Sequence, residues 1–195
     1  VMDIIMDRCA SEEKIAVVVS AFKGVTDQLG YLGKSAAEGQ KQHVASLQRL
    51  QDLHQEVIES LIEPVQGKET LATVDFLFSQ LGQILHGIYL VNELSNKTLD
   101  YILSFGERLS ALILTAALKE RIPEVSYLDA RDVIVTNNEF NNAVVSLEDT
   151  YSNIQKHFEF IEKLVIATGF IASTKEGATT TLGRGGSDYT ASLFA

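Results

Sequence analysis

Residues 14–29 read KIAVVVSAFKGVTDQL, and the fold turns on how this stretch is read. KIAVVVSAF (14–22) is short, continuous and rich in β-branched residues, the pattern of a strand buried on both faces. Gly24 interrupts it, and Thr26-Asp27 then opens a helix. A buried strand that runs through a polar turn into a helix is the repeating unit of an α/β sheet.

The rest of the chain repeats that alternation. VSYL (125–128) reads as a strand, Ser146 caps a helix to about residue 163, and LVIATGFIAS (164–173) reads as one further buried strand. It runs into the turn TKEG, from which TTTLG (179–183) returns, and a helix begins near Ser187. Residues 1–9 resemble the tail of a helix. Between the strands lie three helical segments. Apolar residues recur at three- and four-residue spacing over 41–63 and 69–92, with Pro64 and Gly67 separating the two as an antiparallel pair. A third helix spans roughly 97–120 and stops before Pro123. The pattern predicts a parallel-rich sheet covered by helices on both sides, with about four strands visible.

Composition narrows the function. The 195 residues are 46% hydrophobic and 22% charged, enough for one domain with a sizeable core. A net charge of −10 argues against nucleic acid, which is bound through basic patches, but leaves room for a small anion held by one or two local cations. The single Cys9 fits a reducing compartment, and the four scattered histidines (His43, His54, His86, His157) show no metal-ligand spacing. His54 and His86 are expected to be packing or surface residues. The apolar runs are shorter than the roughly 18 residues of a membrane span, and no signal peptide is written, so a cytoplasmic protein without membrane contact is expected.

Ligands of open α/β sheets gather at the carboxyl ends of the strands. Three segments bring polar groups to that edge: Ser20–Thr26, Ser104–Ser110, and Gly183-Arg184-Gly185-Gly186-Ser187-Asp188. Glycines around a lone arginine let the backbone turn sharply, and a helix beginning at Ser187-Asp188 offers free N–H groups to an anion. Arg184 can grip a carboxylate with two parallel hydrogen bonds, Glu107 can take an ammonium, and Thr26 and Ser187 can add neutral hydrogen bonds. Those groups suit an amino acid better than a bare phosphate. The bland readings are a solvated Glu107, a surface Arg184, Thr26 as a helix cap, and a capping serine at 187.

VVVSAFKGVTDQL, LSFGERLSA, LDARDVIVTN and GFIASTKEGATTTLGRGGSDYTA, taken in order, resemble the signature segments of the aspartokinases, members of the amino-acid kinase superfamily. HGIYLVNELSNKTLDYILSFGERLSA is most similar to the kinase half of bifunctional aspartokinase–homoserine dehydrogenases. The resemblance implies a three-layer αβα sandwich with a helical insertion at 34–92. It also implies transfer of the γ-phosphoryl of ATP to the side-chain carboxylate of L-aspartate, the first step toward lysine, threonine and methionine. By motif, Ser20 and Thr26 line the aspartate site, Glu107 meets the ammonium, and Arg184 holds a carboxylate beside Ser187, on the glycines Gly183, Gly185 and Gly186. Asp188 is the catalytic residue, orienting the family's essential lysine. ATP and Mg2+ are the implied cofactors, NADP enters only with a dehydrogenase domain, and the full-length enzyme is expected to be a homo-oligomer. The family's Lys-Phe-Gly-Gly-Thr-Ser phosphate loop and later nucleotide-binding segments are not among these residues. Residues 1–195 are therefore expected to be the N-terminal, aspartate-binding part of a kinase domain, inactive alone. The alternatives are another amino-acid kinase, or a stand-alone module that senses aspartate without catalysis.

Overall fold

Three parallel strands form the first sheet, in the order β1 (Ile15–Val19), β4 (Leu164–Thr168), β2 (Val125–Leu128), with Val19 level with Thr168. The computed structural model describes residues 2–9, 14–159 and 163–195. The central strand β4 is buried along its whole length, and its side chains alternate between two layers. Leu164 and Ile166 pack with Ile5 of α1 (Met2–Arg8) and with Ala111 and Leu118 of α5 (Asn96–Lys119). Val165 and Ala167 pack with Ile154 of α6 (Leu147–Glu159) and Leu193 of α7 (Gly186–Phe194). Helices therefore cover both faces, and the architecture is the three-layer αβα sandwich. β1 is only half-buried at every position, less enclosed than the sequence suggests, because it pairs on one side alone among the described residues.

The stretch 164–173 is two strands in two sheets, where the sequence suggests one. β4 ends at Thr168, and β5 (Ile171–Thr174) joins a second sheet, parallel to β3 (Val135–Thr136) and antiparallel to β6 (Thr179–Thr181). The break is enforced by the backbone of Phe170, which has a φ of 63°. Its N–H donates to Thr190 Oγ1 of α7 (3.2 Å), and its carbonyl accepts from Leu182 N–H (2.9 Å). A positive φ in a bulky residue is strained and persists only where neighbours hold it.

The helices follow their apolar periodicity, with corrections at the ends. α2 (Val25–Ala37) starts from Gly24, whose φ of 80° is natural to glycine, so Thr26 sits in the first turn and not at the cap. α3 (Gln42–Leu61) gives way to α4 (Pro64–Val91) through extended residues at 62 and 63. Pro64 starts the second helix where the sequence suggests a spacer, since its fixed φ suits the first helical position, and Gly67 lies within the helix. Ser95 caps α5 by accepting from Thr98 N–H (3.2 Å), and Ser146 Oγ donates to Asp149 (2.7 Å) at the start of α6. The sequence expects that helix to run to about residue 163; α6 is described to Glu159, and residues 160–162 lie outside the described ones. α2, α3, α4 and the outer face of α5 share a separate apolar cluster centred on Leu29, Leu81, Leu85 and Phe105. By length and composition α4 and α5 could each cross a bilayer, but α5 spends that apolar character in the core and buries Asp100 and Glu107 there.

Candidate functional site

A cleft of about 360 Å³ opens beyond the carboxyl end of β1. Its wall contains Ser20, Thr26, Glu107, Gly183, Arg184, Gly185, Gly186, Ser187 and Asp188, so every site residue expected from the sequence lines this one cavity. Three elements deliver them: the loop after β1, the middle of α5, and the loop from β6 into α7.

The loops meet at the cleft. Ser20 Oγ donates to Ser187 Oγ at 2.8 Å. α5 is fastened to the same loop twice, by Ala21 N–H donating to Glu107 Oε1 (3.2 Å) and by Ser110 Oγ donating to the Ser20 carbonyl (2.8 Å). Gly106 makes this approach possible, since a Cβ there would lie 2.8 Å from Ala21 Cβ. Gly169 plays the same part on the other side, where an added Cβ would come within 2.6 Å of Ser187 Oγ.

Glu107 is not the solvated helix residue of the bland reading. It is 2% exposed, and its second oxygen, Oε2, has no partner among the described residues. Burial raises its pKa to about 7, against a smaller downward pull from the Ala21 N–H. The adjacent Arg108 does not neutralise it. Arg108 turns to Asp129 (3.8 Å), which also takes Arg131 at 2.7 Å, and its guanidinium lies 4.7 Å from the centre of the Phe105 ring. A buried, unpartnered carboxylate oxygen on a residue that lines a cleft can receive a cation that brings its own hydrogen-bond donors.

Arg184 is exposed and has no hydrogen bond or ion pair among the described residues. It stands between Gly183 (φ 72°) and Gly185 (φ 74°), both left-handed. Gly185 occupies the N-cap of α7 without any side-chain hydrogen bond, so Ser187 lies in the first turn and is not the cap. The N–H groups heading this helix favour an anion. Asp188 is exposed in the same turn.

Sequence reasoning missed several contributors. Phe170 lines the cleft, and only its backbone strain marks it. Asp100 is completely buried on α5 and bonded to β6. It shares a helix face with Glu107, seven residues and two turns away. His54 is fully buried between Phe22 and Phe78, with ring centroids 5.2 and 5.4 Å away, while His86 is exposed.

A three-layer sandwich with a buried acid and an exposed arginine lining one cleft at the strand ends defines an α/β domain of the amino-acid kinase type. The chain belongs to the amino acid kinase family, whose sequence pattern matches residues 1–195. It is 32% identical over 196 residues to a chloroplastic bifunctional aspartokinase/homoserine dehydrogenase 1 of Zea mays, covering 100% of this chain and 21% of that protein. It is 32% identical over 182 residues to the lysine-sensitive aspartokinase 3 of Escherichia coli, covering 92% and 39% respectively. The crystal structure of E. coli aspartokinase III with aspartate and ADP superposes with a TM-score of 0.86 at 31% identity, over 100% of this chain and 42% of that one. The same enzyme with lysine and aspartate gives 0.86 at 30%, covering 43% of its chain. The chain thus spans about a fifth of the bifunctional relatives and about two fifths of the bacterial aspartokinase.

Proposed function

We propose that the chain is the aspartate-binding part of an aspartate kinase, which phosphorylates the side-chain carboxylate of L-aspartate with ATP. The observation that carries this reading is the pairing, in one cleft, of a buried carboxylate that has a free oxygen with an arginine that has no partner. Glu107 takes the substrate ammonium, Arg184 a substrate carboxylate, and Ser20, Thr26 and Ser187 supply neutral hydrogen bonds. Gly183, Gly185 and Gly186 let the backbone come close. The bound aspartate and ADP of the E. coli neighbour support the choice of ligands.

The chemistry asks little covalent work of the protein. The nucleophile is already a carboxylate, so positioning and charge stabilisation carry the rate and no strong base is needed. Asp188 orients a cation toward the transferring phosphoryl group. Mg2+ in such reactions is held by the nucleotide phosphates with one or two carboxylates, and would shield the charge of the transferring phosphoryl group. A cytoplasmic homo-oligomer belongs to the same proposal. Attachment to a homoserine dehydrogenase, with its NADP, is supported only by the names of the bifunctional relatives.

Binding of L-aspartate and of succinate to Glu107→Gln, followed by calorimetry, tests the assignment. In the variant, Oε1 keeps the Ala21 N–H while an NH₂ now faces the ammonium. Aspartate is expected to weaken at least tenfold and succinate less than threefold. Equal losses for the two ligands would return Glu107 to a structural role.

A further inference from the structure

Asp100 lies outside the cleft lining, is 0% exposed, and accepts three hydrogen bonds from distant segments. Its Oδ2 takes the N–H of Thr181 (3.1 Å) and of Asn141 (2.8 Å), and its Oδ1 takes the Thr181 hydroxyl (2.8 Å). Both oxygens are satisfied, which is the condition for keeping a carboxylate buried.

The partners matter more than the burial. Thr181 ends β6, and Leu182, Gly183 and Arg184 follow it directly. The Asn141 segment backs the same strand, with Ala143 N–H donating to the Thr181 carbonyl (2.9 Å) and the Asn142 side chain filling the space beside Gly183. Asp100 therefore pins, from α5, the strand that delivers Arg184. Two turns further along the same helix face, about 10 Å away, stands Glu107. One rigid helix holds both the carboxylate grip and the ammonium grip.

We propose that Asp100 is a positioning residue that sets the separation of Arg184 from Glu107, and thereby fits the cleft to an amino dicarboxylic acid of aspartate's length. The inference rests on the aspartate reading above. It is a hydrogen-bonding role, so charge is dispensable. In Asp100→Asn the amide oxygen keeps the two N–H donors, and the NH₂ donates to a Thr181 hydroxyl that becomes the acceptor.

The test is calorimetric titration with L-aspartate and L-glutamate, in the parent and in an Arg184→Lys background. Asp100→Ala should weaken aspartate at least tenfold in the parent but less than threefold in the Arg184→Lys background, because the pinned residue is already impaired. Asp100→Asn should recover most of the loss. Asp100→Glu, one methylene longer, should lower the preference for aspartate over glutamate at least fivefold. Equal losses in both backgrounds, or an unchanged preference in Asp100→Glu, would make Asp100 merely structural and overturn the inference. Amide hydrogen exchange across Gly183–Gly186, without ligand, separates the pinning of the strand from the binding of aspartate. Faster exchange in Asp100→Ala, restored in Asp100→Asn, supports the pin, and unchanged exchange overturns it. No aspartate binding by the parent protein overturns the substrate reading, and the specificity role falls with it.

Discussion

Arg184 owes its freedom to its neighbours. Two left-handed glycines aim it from an exposed loop, and no acid of the described chain competes for it. A planar guanidinium binds a carboxylate through two parallel bonds, whereas an ammonium acts as a point charge. Arg184→Lys is expected to weaken aspartate and succinate alike by roughly tenfold, the value of one lost charge-assisted hydrogen bond. Calorimetry on both ligands checks this, and a change below twofold would make Arg184 an ordinary surface cation. The parallel loss distinguishes it from Glu107, whose substitution is expected to spare succinate. Arg184, Glu107 and Asp188 were legible in the sequence because each stands beside a glycine or at the head of a helix, where a polar group has a stated use. Asp100 was not. In a helix that also shows Lys97 and Glu107, a lone aspartate looks solvated until its partners 41 and 81 residues away are known.

At the scale of the element, α5 organises the site. Its contact with the loop after β1 is close enough that Gly106 has no room for a methyl group. Alanine is favoured over glycine in an open helix by about 1 kcal/mol, so Gly106→Ala sets helix preference against crowding. The atom it would meet is a Cβ fixed to backbone, which cannot swing away. Crowding is expected to win, with a net loss of about 1–3 kcal/mol in urea unfolding and weaker aspartate binding as the Ala21–Glu107 bond lengthens. A more stable Gly106→Ala protein would show that the two elements are not in tight contact. The strand at 15–19 was readable from its β-branched content, and that at 125–128 from a short apolar and aromatic run after Pro123. The split of 164–174 was not, since Thr168-Gly169 interrupts the apolar run by only two residues and the break depends on a φ that phenylalanine rarely adopts. In the sequence Pro64 reads as a spacer, because proline stops one helix as readily as it starts another.

Across the whole molecule, two buried titrating groups pull stability in opposite directions with pH. His54 hydrogen-bonds through Nδ1 to the Leu50 carbonyl (2.7 Å), which fixes Nδ1 as the protonated nitrogen, and its Nε2 is unpartnered among the described residues. Burial lowers its pKa below the ordinary 6.5, against a smaller opposing pull from that hydrogen bond. The unfolded chain therefore binds the proton more readily, and this contribution to stability is lost as pH falls below about 6.5. Glu107 runs the other way. Its folded pKa is raised from 4.5 to about 7, so its contribution is present below 4.5 and lost as pH rises to 7. Glu107→Gln should therefore gain on the parent progressively between those values, by up to about 3 kcal/mol, and stay ahead by a constant margin above pH 7. Urea midpoints at pH 4.5, 6, 7 and 8 measure it, and a margin that does not change with pH would show that Glu107 is not desolvated. The acid-side loss from His54 should persist in the variant.

The hydrogen bond from Ser20 to Ser187 joins residues 167 positions apart, and it has a consequence for how the cleft comes into being. A ribosome adds about 5–20 residues each second, so Ser20 waits roughly 8–33 s for its partner to be made. Once residue 119 has been added the helices around Leu81 and Phe105 can assemble, while β1 has no central strand beside it until Leu164–Thr168 is synthesised. Until that strand is made the nascent chain carries an unpartnered β1 and an open loop, and the cleft can close only once residues 183–188 have followed.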